Sequence, residues 1–402
     1  MSSQALSFTQ LIESPPESVY DAFTNATQLR EWLCNVATVV PRPGGRIYLW
    51  WNSGYYSSSE FTLTEPGKEV SFTWHGRGEP APTQVKVTFK AQDGGTLVSL
   101  DHSGMGTGDE WEQTISEMEK GWKTSLKNLA SVQETGEDIR FVMRPMLGII
   151  LDEFNPEIAR RLGTPTSEGI RLSGTVEGMG ADSADLQADD VIVSMGGIET
   201  IDGNSLNNVL SVHRAGDEIE IVFYREGEKM SVMMELSRRP IPDIPLTTKE
   251  LADAVEILYN EIKSMLDEFL VGVTEEEASF KPAPDAWSLK GNLAHFIQGE
   301  RFYQQYISEL VDGYERFADD YGGNCDAFIN ATIAAYPTIK EMVQEYKSNM
   351  AETLYFLANL PDEFVARKGT YWRLAYGLLQ DPYHLTSHLE QMQATLDATR
   401  KK

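Results

Sequence analysis

The chain has 402 residues and carries 61 Asp and Glu against 34 Lys and Arg, a net charge of −27. Every third of it is acidic, which argues against a phosphate-tracking surface and against docking on anionic lipid, since both need clustered Lys and Arg. With 41% apolar and 10% aromatic residues it has material for two or three globular cores, while its two cysteines, Cys34 and Cys325, make neither a disulfide framework nor a thiolate metal cluster.

Residues 1–21 lack the basic start and apolar run of a secretory signal. The longest apolar stretches, such as residues 146–151, are too short to span a bilayer. A cytoplasmic protein is expected, with neither nucleic acid nor membrane as partner. Two joints divide the chain: the polar run 133–140 (QETGEDIR), and 239–245 (RPIPDIP), whose three prolines stop helices and central strands alike. The expected organisation is multidomain α+β, with domains at 1–135, 141–240 and 246–402, each a separate body in series with its own core.

In the first domain, Ser14-Pro15-Pro16-Glu17 predicts a helix start: a cap-type residue, prolines in the first turn, and an acid at the positive end. Val19, Phe23, Leu29, Trp32 and Leu33 give this helix an apolar side. After a turn at Pro43-Gly44-Gly45, alternating runs at 46–51, 60–64, 70–74, 84–90 and 96–102 predict an antiparallel meander. Trp111, Ile115, Met118, Trp122, Leu126 and Leu129 then recur at helical spacing over 109–132. The succession resembles the SRPBCC (START-like) superfamily, in the branch of the heat-shock-protein ATPase activator homologues. It does so through residues 16–23 (PESVYDAF), Leu29-Arg30-Glu31-Trp32, Pro43-Gly44-Gly45-Arg46, Phe72-Thr73-Trp74 and Gly121-Trp122-Lys123. The resemblance implies a helix-grip α/β sandwich: a curved sheet wrapped on the long helix, often with an apolar cavity between them. Trp50, Tyr55, Phe72, Trp74, Trp111 and Trp122 either line a pocket for a small apolar ligand or client protein, or simply fill the core. His75 and His102, at strand ends, are acid–base candidates without an accompanying nucleophile.

The middle domain reads as short strands with turn residues. A strand begins at 147–150, and a helix over 155–162 ends at Gly163. Strands follow at 169–176 and 190–195, then a helix at 204–213 and a hairpin of 218–224 with 229–236. Leu147-Gly148-Ile149, residues 156–163 (PEIARRLG), Asp189-Asp190-Val191-Ile192 and Met195-Gly196-Gly197 carry a resemblance to PDZ domains of HtrA-type proteases. This implies β-augmentation: a peptide C-terminus pairs with the strand from Ile149, and its carboxylate sits on amides of Met146, Leu147, Gly148 and Ile149. Ile150 would lie along the same edge, and Val209 and His213 would flank the last side chains. Asp185 and Asp189 stand where the family usually has glycine, so both turns are expected to persist with some strain. No protease triad accompanies this domain, so it does not imply proteolysis.

In the last domain Thr247, Ser288 and Thr338 cap three amphipathic helices, and Asp381-Pro382 opens a fourth. The reading is an all-α four-helix up-and-down bundle. His384 and His388, four residues apart, share a helix face, and His295 on a facing helix completes a three-nitrogen set for Zn, Ni or Fe. Glu300, five residues beyond His295, lies too far around the helix to be a fourth ligand. Ala286-Trp287-Ser288, Leu293-Ala294-His295 and His384-x-x-x-His388 resemble the DinB-like superfamily. The resemblance implies a divalent transition metal, and links the bundle to metal-dependent thiol transferases and related enzymes. Cys325 reads as an inert thiol.

Two readings of the whole chain follow. One is a soluble adaptor combining a ligand- or client-binding START-like domain, a C-terminal-peptide-binding PDZ domain and a metal-binding bundle. The other is a metal-dependent enzyme of thiol transferase or hydrolase type, with its chemistry in the bundle. A bundle of this kind is also compatible with pairing of two copies.

Overall fold

The computed structural model describes residues 4–283, 286–316, 325–380 and 383–401, except for the side chains of Tyr383 and His384. It is a mixed α+β chain that divides into two compact units. One comprises residues 4–137 together with 242–401, and the other residues 138–241. Among the described residues, no helix is long and apolar enough to cross a membrane.

The first unit opens with a seven-stranded antiparallel sheet. Its strands are β1 (Gln4–Ile12), β2 (Val36–Val39), β3 (Arg46–Trp50), β4 (Tyr56–Glu65), β5 (Glu69–Trp74), β6 (Thr83–Gln92) and β7 (Gly95–Met105). They lie in the order β1-β7-β6-β5-β4-β3-β2. Alternation sets the inner face: Val85, Val87 and Phe89 of β6 point the same way as Val98 and Leu100 of β7, and all are buried. The long helix Asp109–Thr135 closes that face with Trp111, Met118, Trp122, Leu126 and Leu129, and Gly136 ends it at φ +87°. The expected opening helix is two helices, Pro16–Thr24 and Ala26–Trp32. Asn25 ends one, its backbone N–H donating to the Asp21 carbonyl, and caps the other, its side chain accepting from the Gln28 amide at 3.1 Å. β1 is an element the sequence reading missed. It carries little apolar density, and only Leu6, Phe8 and Ile12 pack inward.

The C-terminal helices Thr248–Phe269, Leu289–Val311, Ile339–Ala358 and Tyr383–Arg400 enclose a second apolar core built on Leu251, Val255, Leu293, Ile297, Met342 and Met350. Thr247 and Thr338 form capping boxes with Glu250 and Glu341, and Ser288 caps the second long helix through the Gly291 amide. Asp381 and Pro382 lie outside the described residues.

These two regions are not separate bodies in series, as expected from sequence, but meet through a polar joint. The helix Lys368–Leu378 packs on helix Ala26–Trp32 and on the end of the closing helix. Arg373 forks onto Glu315 at 2.8 and 3.2 Å and reaches Glu31 at 3.5 Å; Arg30 meets Glu315 at 3.0 Å, and Thr370 donates to Glu31 at 2.7 Å. Glu31 and Glu315 are 6% and 9% exposed as side chains. Close approach depends on glycine: a Cβ on Gly369 would sit 2.6 Å from Val132 Cγ1, and one on Gly136 2.6 Å from Trp372 Cβ.

The second unit holds the strands β8 (Ile149–Asp152), β9 (Ile170–Thr175), β10 (Val191–Met195), β11 (Ile198–Glu199), β12 (Glu218–Arg225) and β13 (Glu228–Glu235), in the order β13-β12-β10-β9-β8 with β11 on β10. The helix Gly203–Val212 buries Leu206, Val209 and Leu210 against this sheet. Asp185 and Asp189 do adopt left-handed backbone, at φ +57° and +69°. Ion pairs flank both turns: Asp189 takes Arg171 at 2.7 Å, and the neighbouring buried Asp190 takes Arg225 through two bonds of 2.8 and 2.7 Å.

Removing the central guanidinium of the joint leaves two buried carboxylates short of a partner. Arg373→Met should cost the first unit about 3 kcal/mol, read as a lower urea midpoint, and adding Glu315→Gln should recover part of the loss. An unchanged midpoint in Arg373→Met contradicts this view of the joint.

Candidate functional site

A cavity of about 660 Å³ lies between the sheet and the closing helix in the N-terminal region. Of the aromatic residues singled out in the sequence, Tyr55, Trp74 and Trp122 line it. The other three are placed elsewhere. Ile47 and Leu49 of β3 face inward, so Trp50 takes the outer face by alternation. Phe72 packs between Phe61 and Trp74, and Trp111 is buried against Gly106. An aromatic lining residue that the sequence reading did not single out is Trp51, the next inward position after Ile47 and Leu49. The same alternation was the signal that could have found it.

Trp51 lies 5.2 Å from Tyr55 and 6.3 Å from Trp74, and Trp74 lies 5.4 Å from Trp122, all between ring centroids and all tilted. Glu79 is a further unforeseen lining residue. It accepts from the Tyr55 hydroxyl at 2.5 Å, from Trp74 Nε1 at 3.0 Å and from the Gly76 amide at 2.6 Å. Burial, then the hydrogen bond to Glu79, holds the Tyr55 hydroxyl well above its ordinary range, so Tyr55 is a neutral donor here.

His102 sits behind this wall, fully buried. Trp122 Nε1 donates to its Nδ1 at 3.0 Å, which fixes the proton on Nε2; that nitrogen donates to Thr83 Oγ1 at 2.7 Å, and Thr83 donates to the Trp74 carbonyl at 3.1 Å. Burial lowers its pKa from 6.5 to about 4. The ring is a structural hydrogen-bond relay and not the acid–base group the sequence suggested. His75 is exposed, its Nε2 3.4 Å from the Glu79 carbonyl.

In the second unit, β8 is a terminal strand, and Ile150 and Leu151 on it are 44% and 54% exposed. Gly148 holds φ +75°, and a Cβ there would lie 2.3 Å from Met179 Cβ. Of the loop amides, that of Met146 donates to the Ser237 carbonyl at 2.9 Å, whereas those of Leu147 and Gly148 donate to none of the described residues. Ile149 begins the strand, paired with Thr175. His213 ends the helix Gly203–Val212 with Nδ1 3.4 Å from Asp217, while Val209 is fully buried in the core.

In the bundle, the His295 and His388 rings lie 5.0 Å apart between centroids, with Trp287 5.1 Å from the first and 6.3 Å from the second. His388 Nδ1 is 3.0 Å from Gln391 Oε1. A carboxamide oxygen only accepts, so this contact puts a proton on Nδ1. The His384 side chain lies outside the described residues. Among the described residues no group of three His, Cys, Asp or Glu is placed to hold a metal ion. Glu300 accepts from Tyr259 at 2.9 Å and from Thr353 at 3.0 Å. Cys325 is exposed at the start of helix Asp326–Ala335.

The His102 relay has a pH signature. Above pH 6.5 the ring is neutral in both states. Between 6.5 and about 4 the unfolded chain takes up a proton that the buried ring refuses. Stability should therefore fall with acidification across that window, by roughly 3 kcal/mol in all. In urea titrations at pH 7 and pH 4.5, the gap between wild type and His102→Gln should narrow at the lower pH; parallel losses contradict the assignment.

Three family models match the chain: "Activator of Hsp90 ATPase homolog 1-like protein" over residues 13–134, "PDZ domain" over 147–236 and "DinB superfamily" over 258–392. Among curated proteins it is similar to a probable periplasmic serine endoprotease DegP-like of Marinomonas sp. (strain MWYL1), with 22% identity over 213 residues, 52% of this chain and 45% of the relative. A protein of the same description from Hahella chejuensis is 24% identical over 176 residues, 42% of this chain and 38% of that one. The chain thus spans less than half the length of these curated relatives. Among solved structures, the Aha1 dimer from Colwellia psychrerythraea is similar at 21% identity over 32% of this chain and 95% of that one, with a TM-score of 0.29. An HSP90 activator from Plasmodium falciparum is similar at 24% identity over 32% and 94%, with a TM-score of 0.28. The chain carries, from N- to C-terminus, an activator-of-Hsp90-ATPase-homologue-like region, a PDZ region and a DinB-superfamily region.

Proposed function

We propose that the protein is an adaptor. It recognises a peptide C-terminus on its PDZ region, holds a small ligand in the cavity of its N-terminal region and binds a divalent transition metal in its helical region. The observation that carries the reading is the edge of β8. An extended peptide needs a strand whose outer hydrogen-bonding groups are unpaired, and a carboxylate needs amides aimed at one point. β8 ends its sheet, and the loop before it presents the Leu147 and Gly148 amides without a donor role among the described residues. Ile150 and Leu151 lie at the surface along this edge, and His213, half-buried at the end of helix Gly203–Val212, is the polar group of this reading. Val209, fully covered in the core, is left out of the contact set.

For the metal, His295 and His388 supply two imidazoles close enough to share one ion, with Gln391 orienting the second. His384, one helical turn before His388, is the third nitrogen of this reading. Such an ion, when bound, supplies Lewis acidity and lowers the pKa of a coordinated water. The chain's own part is to fix the imidazole tautomer and to shield the site with the Trp287 indole.

Peptides of random sequence ending in an apolar residue should yield micromolar binders of the full chain in fluorescence polarisation, about −8 kcal/mol, and amidation of their C-termini should abolish binding. Indifference to amidation contradicts the carboxylate loop. Elemental analysis of the purified chain should find about one equivalent of transition metal, lost in the His295→Ala and His388→Ala variants. Metal content unchanged by both substitutions contradicts the site.

A further inference from the structure

The cavity of the N-terminal region has walls of two kinds, and together they select a ligand by charge. The first kind is aromatic. Trp51, Tyr55, Trp74 and Trp122 meet at interplanar angles of 50° to 59°, so they form a concave corner instead of a stack. Ring faces carry the negative end of the aromatic quadrupole, and a corner of several faces attracts a cation from more than one side. The second kind is carboxylate. Glu79 is fixed in the wall by three donors: Tyr55, Trp74 and the Gly76 amide. Two of these donors belong to the aromatic corner itself, so the rings and the charge are held in one frame.

The rest of the lining has the same sign. Glu117 on the closing helix and Asp109 and Glu110 in its first turn lie on the cavity with Glu79, against the single guanidinium of Arg77. Arg77 is directed to the loop, donating from Nη1 to the Gly54 carbonyl at 3.1 Å. A fatty acid or phosphate ester entering here would meet uncompensated negative charge in a partly desolvated space. A neutral apolar molecule would gain nothing from Glu79. An organic cation uses both walls, its charge between the rings and Glu79 and its apolar body along Leu33 and Met118. The volume of about 660 Å³ is in the range of small-molecule sites.

We infer that this cavity takes an organic cation, an amine or quaternary ammonium group on a short apolar body; the inference rests on the reading of the cavity as a ligand site. The test compares three probes with one body and different heads on the full chain: hexyltrimethylammonium, hexan-1-ol and hexanoate, each titrated calorimetrically. Hexyltrimethylammonium should bind one-to-one and more tightly than the other two. Glu79→Gln should weaken it about tenfold, the scale of a lost charge-assisted contact. Glu117→Gln, at an exposed helix position that leaves the fold intact, should weaken it about twofold, as for a charge at the rim. Hexanol or hexanoate binding as tightly as the ammonium probe, or affinity for the ammonium unchanged in both variants, overturns the cation assignment and leaves the pocket standing. If none of the three probes binds, the ligand-site reading falls with it.

Discussion

Arg373 shares its charge between two buried carboxylates from different parts of the chain, and much of the first unit is organised by that contact. Glu31 comes from the N-terminal region and Glu315 follows the second long bundle helix, so the guanidinium links segments almost three hundred residues apart in sequence. Burial pushes the Glu31 carboxyl up from its ordinary range, with Arg373 and then Thr370 opposing it. Dehydrating two carboxylates and two guanidinium groups is costly, and an apolar interface of the same shape would serve stability as well. What the charged joint adds is a unique register, since the fork of Arg373 on Glu315 and the bond from Thr370 to Glu31 are satisfied in one alignment only.

The joint lies next to the wall of the cavity. Glu31 precedes Trp32, whose indole donates to the Ala22 carbonyl at 2.8 Å, and Asn128 of the closing helix donates to the Trp32 carbonyl at 2.8 Å. The next carbonyl, of Leu33, accepts from Trp51 Nε1 at 2.6 Å. The helix that carries the buried charge therefore also fixes the ring that opens the aromatic corner. The cavity, the buried histidine and the joint thus adjoin one another, through hydrogen bonds at Trp32 and Trp51 on one side and at Trp74 and Trp122 on the other, with Trp51 and Trp74 in ring contact between them.

Most of the secondary structure was legible because it follows from local rules. Thr247, Ser288 and Thr338 announce their helices by capping chemistry, the meander by alternation, and Asp185 and Asp189 their left-handed turns by standing where the family has glycine. The break at Asn25 was hidden because helical periodicity continues across it. The joint was hidden for a different reason. It is made by Glu and Arg, residues that a sequence reading assigns to solvent, and their burial follows from long-range packing that no local pattern encodes. Glu79 is similar, a charged residue in a turn that becomes a site residue only because Tyr55, Trp74 and Gly76 converge on it. The histidines show both sides. Helical periodicity sets His295 on a helix facing that of His388, and the two rings lie 5.0 Å apart, whereas nothing local marks His102, an acid–base candidate by residue type alone, as completely buried.

The N-terminal sandwich and the C-terminal helices form one compact unit, joined at the Glu31–Arg373–Glu315 contact. Hydrogen exchange on the full chain tests it most directly. Amides of helix Ala26–Trp32 and helix Lys368–Leu378 should exchange through a common opening, with the same free energy and the same denaturant dependence. Two distinct openings, one for each helix, would show that the regions fold independently and that the contact is incidental.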